Sequence, residues 1–160
     1  MPKITTFLWY DTQAEEAANF YVSIFPNSKI VTIARYGDGA PRPKSSVMTV
    51  TFELDGQKFI ALNGGPLFKF TDAISLLIEC KSQEEVDHYW TRLLEGGQES
   101  QCGWLKDKFG LSWQVTPTAL GEMLSDPDRA KANRVMQAML KMKKIDIPAL
   151  QRAYHNDPVR

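Results

Sequence analysis

One pattern constrains this chain more than any other: a segment of it is written twice. Glu15-Glu16-Ala17 matches Glu84-Glu85-Val86, Phe20-Tyr21 matches Tyr89-Trp90, and Ile24-Phe25 matches Leu93-Leu94, each pair about 69 residues apart. Both copies place apolar residues at helical spacing, and both follow a β-rich stretch, Ile4 to Tyr10 in the first and Ala73 to Cys80 in the second. Carried back at the same spacing, Phe7 and Trp9 align with Leu76 and Ile78. Thr6, Leu8 and Tyr10 then align with Ser75, Leu77 and Glu79. Side chains alternate across a strand, so one set is expected beneath the helix and the other to face away from it. This spacing puts Phe7, Trp9, Leu76 and Ile78 under helices. It leaves Thr6, Leu8, Tyr10, Ser75, Leu77 and Glu79 to line a hollow. Duplication of a strand–helix–hairpin unit implies a curved mixed sheet, helices on its convex side and a hollow on its concave side.

The remaining elements follow from local signals. Asp11-Thr12 can cap the first helix, whose apolar face carries Ala17, Phe20, Tyr21, Ile24 and Phe25 until Pro26 stops it. Lys29 to Tyr36 reads as a strand and 37–43 as a mobile loop. Val47 to Leu54 and Lys58 to Asn63 form a hairpin through Asp55-Gly56, a strong turn signal. In the second copy Ser82 can cap a helix from Gln83 to Leu94, which ends at Gly96-Gly97. Short strands are expected near Glu99, from Gly103 to Lys106 and from Leu111 to Thr116. After Pro117 the pattern changes. Ala132, Val135, Met136, Met139 and Leu140 recur at helical spacing, a stripe of the kind that forms core or a subunit seam, and Ile147 to Tyr154 reads as a last short helix. The chain is therefore expected to be α+β, with a duplicated domain over 1–117 (halves about 3–66 and 72–117) and a helical extension over 118–160.

Composition narrows the function. Nineteen basic and nineteen acidic residues cancel, so no overall field favours nucleic acid or an anionic membrane. The cluster Lys141, Lys143 and Lys144 reads as a solvated helix end. No apolar run reaches membrane-spanning length, and the start of the chain has none long enough for a secretory leader. Cys80 and Cys102 lack metal-finger spacing and form at most one bridge, which points to a reducing cytoplasm.

The order of motifs resembles a known pattern. A strand, a Phe-Tyr helix, Ile24-Phe25-Pro26-Asn27-Ser28, a hairpin, a second strand with a Glu-Glu helix, and the closing run Asp107 to Gln114 are similar to the vicinal oxygen chelate superfamily. Gln13 to Tyr21, Ala61-Leu62-Asn63-Gly64-Gly65 and Trp113-Gln114-Val115-Thr116-Pro117 are similar to its PhnB-like branch, labelled 3-demethylubiquinone-9 3-methyltransferase. The resemblance covers residues 3–117. It implies the glyoxalase/bleomycin resistance/dihydroxybiphenyl dioxygenase fold, built from two βαβββ-like repeats, with C-terminal helices outside the shared part.

Enzymes of that superfamily hold a divalent metal with His and Glu on four strands. Transferred to this chain, those positions fall at Thr6 (or Ile4), Ile60 (or Ala61), Ser75 and Gln114. Only Gln114 is a plausible neutral donor there, and a stable divalent site wants at least three good ones. His88 lies on the second helix and His155 in the tail, and neither belongs to a strand of the hollow. No metal and no cofactor are expected. The methyltransferase label finds no glycine-rich strand–helix turn that would seat S-adenosylmethionine.

Glu79 is the candidate catalytic residue, a general base if its carboxylate lies in an apolar hollow beside Ser75 and Gln114. A solvated or lysine-paired strand end is the commoner use of such a residue. Trp104, with Tyr10 and Trp113, offers rings for stacking, although Trp9 and Trp113 fall in the helix-facing set. Asn63, Gly64 and Gly65 end a strand and can offer amides to a polar ligand, or simply turn the chain. Asp107 fits an Asx cap of the last hairpin, and Cys102 has no base nearby in sequence. The expected function is binding of a small molecule by a homodimer, with Thr6, Leu8, Tyr10, Asn63, Ser75, Leu77, Trp104 and Gln114 as ligand contacts. Metal-independent acid–base chemistry by Glu79 and Gln114, or a methyltransferase-type activity, is the alternative.

Overall fold

The computed structural model describes residues 2–157; Met1 and residues 158–160, at the outer ends of the expected domain and extension, lie outside the described residues. The chain divides into two compact units, Met1–Phe70 and Thr71–Arg160. In the first, β1 (Thr6–Tyr10) leads through α1 (Ala14–Val22) to β2 (Lys29–Arg35), β3 (Val47–Leu54) and β4 (Gln57–Asn63). These four strands hydrogen-bond in the order β1-β4-β3-β2, with β1 parallel to β4 and the other pairs antiparallel. In the second unit β5 (Leu76–Cys80) leads through α2 (Gln83–Leu94) to β6 (Gln98–Glu99), β7 (Trp104–Lys106) and β8 (Ser112–Pro117), paired in the order β5-β8-β7-β6. Each unit is thus a βαβββ motif with a four-stranded mixed sheet. Asp55 and Gly56 both take positive φ, 48° and 80°, as the expected two-residue hairpin requires.

Aromatic packing forms the core of the first unit. Tyr21 from α1 lies over Phe52, Phe52 stacks on Phe59, and Ala17 and Ala18 let the helix approach the sheet closely. The faces of β1 are the reverse of the expectation. Leu8 and Tyr10 lie in this core, the Tyr10 hydroxyl 3.1 Å from that of Tyr21, and Thr6 shares their side of the strand. Phe7, by contrast, stays 55% exposed, and Trp9 lies on its side of the sheet.

A single residue explains the reversal. Tyr10 pairs with Asn63 at the end of β4 as Cys80 pairs with Pro117 at the end of β8. Tyr10 therefore corresponds to Cys80, one position further than the helices correspond. Three residues, Asp11 to Gln13, join β1 to α1, whereas Lys81 and Ser82 alone join β5 to α2. Carrying the helix spacing back through the turn slips the strand by one, and such a slip exchanges its two faces. In the second unit the expectation stands: Leu76 and Ile78 are half-buried and Cys80 is fully buried, while Leu77 and Glu79 are exposed.

The two helix starts also differ from each other. Ser82 Oγ accepts the Glu85 amide, as its position predicts. Neither Asp11 nor Thr12 caps α1. Its first amide, that of Ala14, donates to Asn63 Oδ1 at 2.8 Å, so the cap comes from the neighbouring strand β4, 49 residues away in sequence.

Beyond β8 the second unit continues through α3 (Thr118–Leu124), a helix the sequence reading omitted, then α4 (Arg129–Met139) and α5 (Ile147–His155). Asp128 and Asp146 cap the last two. Leu120, Met123, Val135, Ile145 and Leu150 form a core of their own, edged by Met139, Met142 and Tyr154. This core is tied to the rest of its unit. Gln83 on α2 donates from Nε2 to Ile145 O and accepts the Ile147 amide, and the amides of Cys102 and Gly103 donate to Met142 O and Lys143 O. The lysine cluster is partly ion-paired, Lys143 with Glu99 and Lys144 with Asp87. Among the described residues, no helix is long and apolar enough to cross a membrane.

Candidate functional site

The residues singled out from sequence separate between the two units. In the second, β5 and β8 run parallel with Leu77 opposite Gln114 and Glu79 opposite Thr116, and β7 sets Trp104 opposite Gln114. Facing residues on paired strands share a side of the sheet. Ser75, Leu77, Trp104 and Gln114 therefore meet on the side away from α2. Gln114 Nε2 donates to Ser75 Oγ at 2.9 Å, both groups being partly buried, while Leu77 remains 50% exposed. Lys106 and Ser112 extend this face toward Asp72, the Lys106 ammonium 3.0 Å from its carboxylate. Four of the expected ligand contacts are thus brought together. Glu79 lies at the same strand's end, exposed, one same-face step beyond Leu77.

The contacts expected on β1 are not part of such a face. Leu8 and Tyr10 are sealed in the core beneath α1, and Thr6 points to the same side. Asn63 spends its side chain internally: Oδ1 accepts from Ala14 and Nδ2 donates to Val47 O. The side of the first sheet away from α1 carries Phe7 and Trp9 instead, opposite Ile60 and Leu62. Trp9, expected beneath the helix, donates its indole N–H to Gly65 O and meets the edge of Phe68 at 4.9 Å. Burial periodicity in β1 was the signal that would have found this pair, had the extra turn residue been placed before α1.

Several other residues have structural work. Asp107 Oδ1 accepts the amides of Phe109 and Leu111, the expected turn cap, and Oδ2 accepts the indole N–H of buried Trp113. Burial, reinforced by the charge of Glu85, pushes the Cys80 thiol up to about 12, which leaves it protonated and inert. Cys102 sits in a turn at φ 59°, its amide committed to the C-terminal segment.

The transferred metal positions do not fit a divalent ion. Ile60 and Ala61 bring no lone pair, Thr6 lies on the helix side of its strand, and the Ser75 hydroxyl is engaged by the Gln114 amide. Among the described residues no three of His, Cys, Asp and Glu gather as a metal-holding group.

Comparison with known proteins agrees with this architecture. Residues 2–116 match the family described as 3-demethylubiquinone-9 3-methyltransferase. The chain belongs to that family. It is the PhnB-like branch of the vicinal oxygen chelate superfamily, and the solved structures show the same relationship. A putative 3-demethylubiquinone-9 3-methyltransferase, PhnB protein, from Bacillus cereus is 40% identical, with a TM-score of 0.67 over 72% of this chain and 99% of that one. The fosfomycin resistance protein FosX from Listeria monocytogenes shares the fold at 17% identity, with a TM-score of 0.56 over 78% of this chain and 98% of its own. A glyoxylase/bleomycin resistance protein/dioxygenase domain from Frankia sp. EAN1pec does so at 13% identity, with a TM-score of 0.50 over 73% and 92%. No curated protein matches the chain. The family match stops at residue 116, so α3–α5 lie beyond the part this PhnB-like chain shares.

Proposed function

We propose that this PhnB-like protein binds a small organic molecule on the side of its second sheet away from α2, without a tightly held metal or cofactor. The observation that carries the reading is the Gln114–Ser75 hydrogen bond set between the Leu77 and Trp104 side chains. A few oriented polar groups among apolar and aromatic ones are what a ligand pocket offers, the former for orientation and the latter for affinity. Gln114 can exchange its contact with Ser75 for one with a ligand amide, hydroxyl or carbonyl, since its side chain both donates and accepts. A homodimer is part of the proposal, supported by β2, a sheet edge with Val31 50% exposed. Two unpaired cysteines support a reducing cytoplasm as its setting.

Amide-resolved NMR of the purified protein against a diverse fragment library tests the reading. Hits are expected to shift the Gln114 side-chain amide and the Trp104 indole together. Gln114→Leu should weaken those hits by about tenfold, the worth of one hydrogen bond to a partly buried group. A library that leaves both signals unmoved would exclude the site.

A further inference from the structure

The first unit carries a cation that its own fold leaves unused. Arg42 comes from the connection between β2 and β3, expected from sequence to be mobile. The structure ties that connection down at several points. The Tyr36 amide donates to Ser46 O, the Ser45 amide to Tyr36 O, Arg35 Nη1 to Ser45 O, and the Tyr36 hydroxyl to Asn63 O at 2.6 Å. From this anchored base the Arg42 guanidinium reaches the glycine pair at the end of β4. Nη2 stands only 1.4 Å from where a Cβ on Gly65 would be, and Cζ stands 2.7 Å from it. Next to it, the Trp9 ring occupies the space of a Cβ on Gly64, with Cζ2 at 2.4 Å. Two successive glycines thus clear room for an indole and a guanidinium on adjacent Cα atoms, which are about 3.8 Å apart.

Nothing in the described structure neutralises this charge. Asp38, the carboxylate of the same loop, pairs with Lys44 at 3.2 Å, and among the described residues Arg42 has no ion pair or hydrogen bond. Its nitrogens are not sealed from solvent, for among the described residues no buried side-chain nitrogen lacks a partner. The guanidinium of half-buried Arg42, set against Gly65, whose carbonyl accepts the Trp9 indole N–H, has its planar donors unspent and is suited to an oxyanion, which it can grip through two parallel N–H bonds. Phe7 and Trp9 supply an apolar bed on the same side of the sheet, Phe68 a rim.

We propose that Arg42 is the anion anchor of a site on the first unit for small molecules that join a carboxylate or phosphate to a flat apolar body. The inference rests on the small-molecule reading above but uses other residues, so the two can fail separately. Three probes test it on the intact protein, with the Trp9 indole N–H as reporter: benzoate (ring and anion), benzyl alcohol (ring alone) and inorganic phosphate (anion alone). Benzoate is expected to bind at least fivefold tighter than benzyl alcohol. Arg42→Gln should weaken benzoate about tenfold and leave benzyl alcohol unchanged, while Arg42→Lys recovers part of the loss. Equal binding of benzoate and benzyl alcohol, unchanged benzoate affinity in Arg42→Gln, or no response to either anion would overturn the anchor. A silent fragment screen at Gln114 alongside a benzoate response at Trp9 would instead sink the second-sheet reading and leave this one standing.

Discussion

The two units share one plan and close it by opposite means. The first completes its sheet with long strands of seven, eight and seven residues, and its helix is capped by Asn63 from the neighbouring strand β4. The second has hairpin strands of two and three residues, a helix capped by its own Ser82, and three further helices docked against it. Short strands bury little, and a small domain is hard to stabilise without more apolar area. The core of Leu120, Met123, Val135, Ile145 and Leu150 supplies that area. Duplication therefore preserves topology while leaving each copy free to find its own source of stability.

If the C-terminal helices are part of the second unit's core, loss of packing there should be the most damaging change. Leu150 is fully buried, so Leu150→Ala is expected to cost about 2–5 kcal/mol in denaturant unfolding, through lost transfer energy and a residual cavity. Hydrogen exchange sharpens the point. The Cys102 and Gly103 amides, bonded to Met142 O and Lys143 O, should lose protection along with the helices. Retained protection of those amides in a destabilised Leu150→Ala would show the helices to be an appendage.

The helix starts give a second, smaller contrast. Asn63→Ala removes the cap of α1 and also strands the Val47 carbonyl, so a loss of about 2 kcal/mol is expected. Ser82→Ala removes one local bond and should cost about 1 kcal/mol. Equal losses would mean that Asn63 acts as an ordinary surface cap and that the long-range tie contributes nothing.

These same residues mark what could be read from the sequence. Ser82 was legible because a capping oxygen three residues from its amide is a local event, and Asp55-Gly56 because a tight turn dictates its own φ. The repeat was legible because helical periodicity survives divergence, and with it the βαβββ fold. Asn63 was not, since its partner lies 49 residues away and no local pattern announces it. The faces of β1 were misread for a sharper reason. A period of two tolerates no error, and one inserted turn residue moved Leu8 and Tyr10 from the hollow into the core. That Ser75 and Leu77 face away from α2, on the side of Trp104 and Gln114, was legible because the second copy carries no such insertion between its strand and its helix.

The smallest expected effect belongs to the last helix. The Tyr154 hydroxyl donates to Asp126 Oδ2, and Lys131 lies 5.0 Å above the Tyr154 ring. That hydrogen bond holds the Asp126 carboxyl below its usual range, helped by the Asp128 amide, and pushes the Tyr154 phenol up. The linkage has a definite sign in each case. A lowered carboxylate contributes stability that is present above its unfolded value of 3.8 and is lost as pH falls through the folded one. A raised phenol contributes stability that is present below 10.0 and is lost as pH rises through its folded value. Both residues are only partly buried, so water still screens the interaction and the effect on midpoints should be slight. Tyr154→Phe is accordingly expected to lose a little stability at neutral pH, with the difference from the parent shrinking as pH falls below 3.8 or rises above 10.0, so that both limbs flatten. Unaltered limbs would assign the docking of this helix to Leu150, and to the Arg134 guanidinium that donates to Ala153 O and Tyr154 O, leaving the phenol without a role.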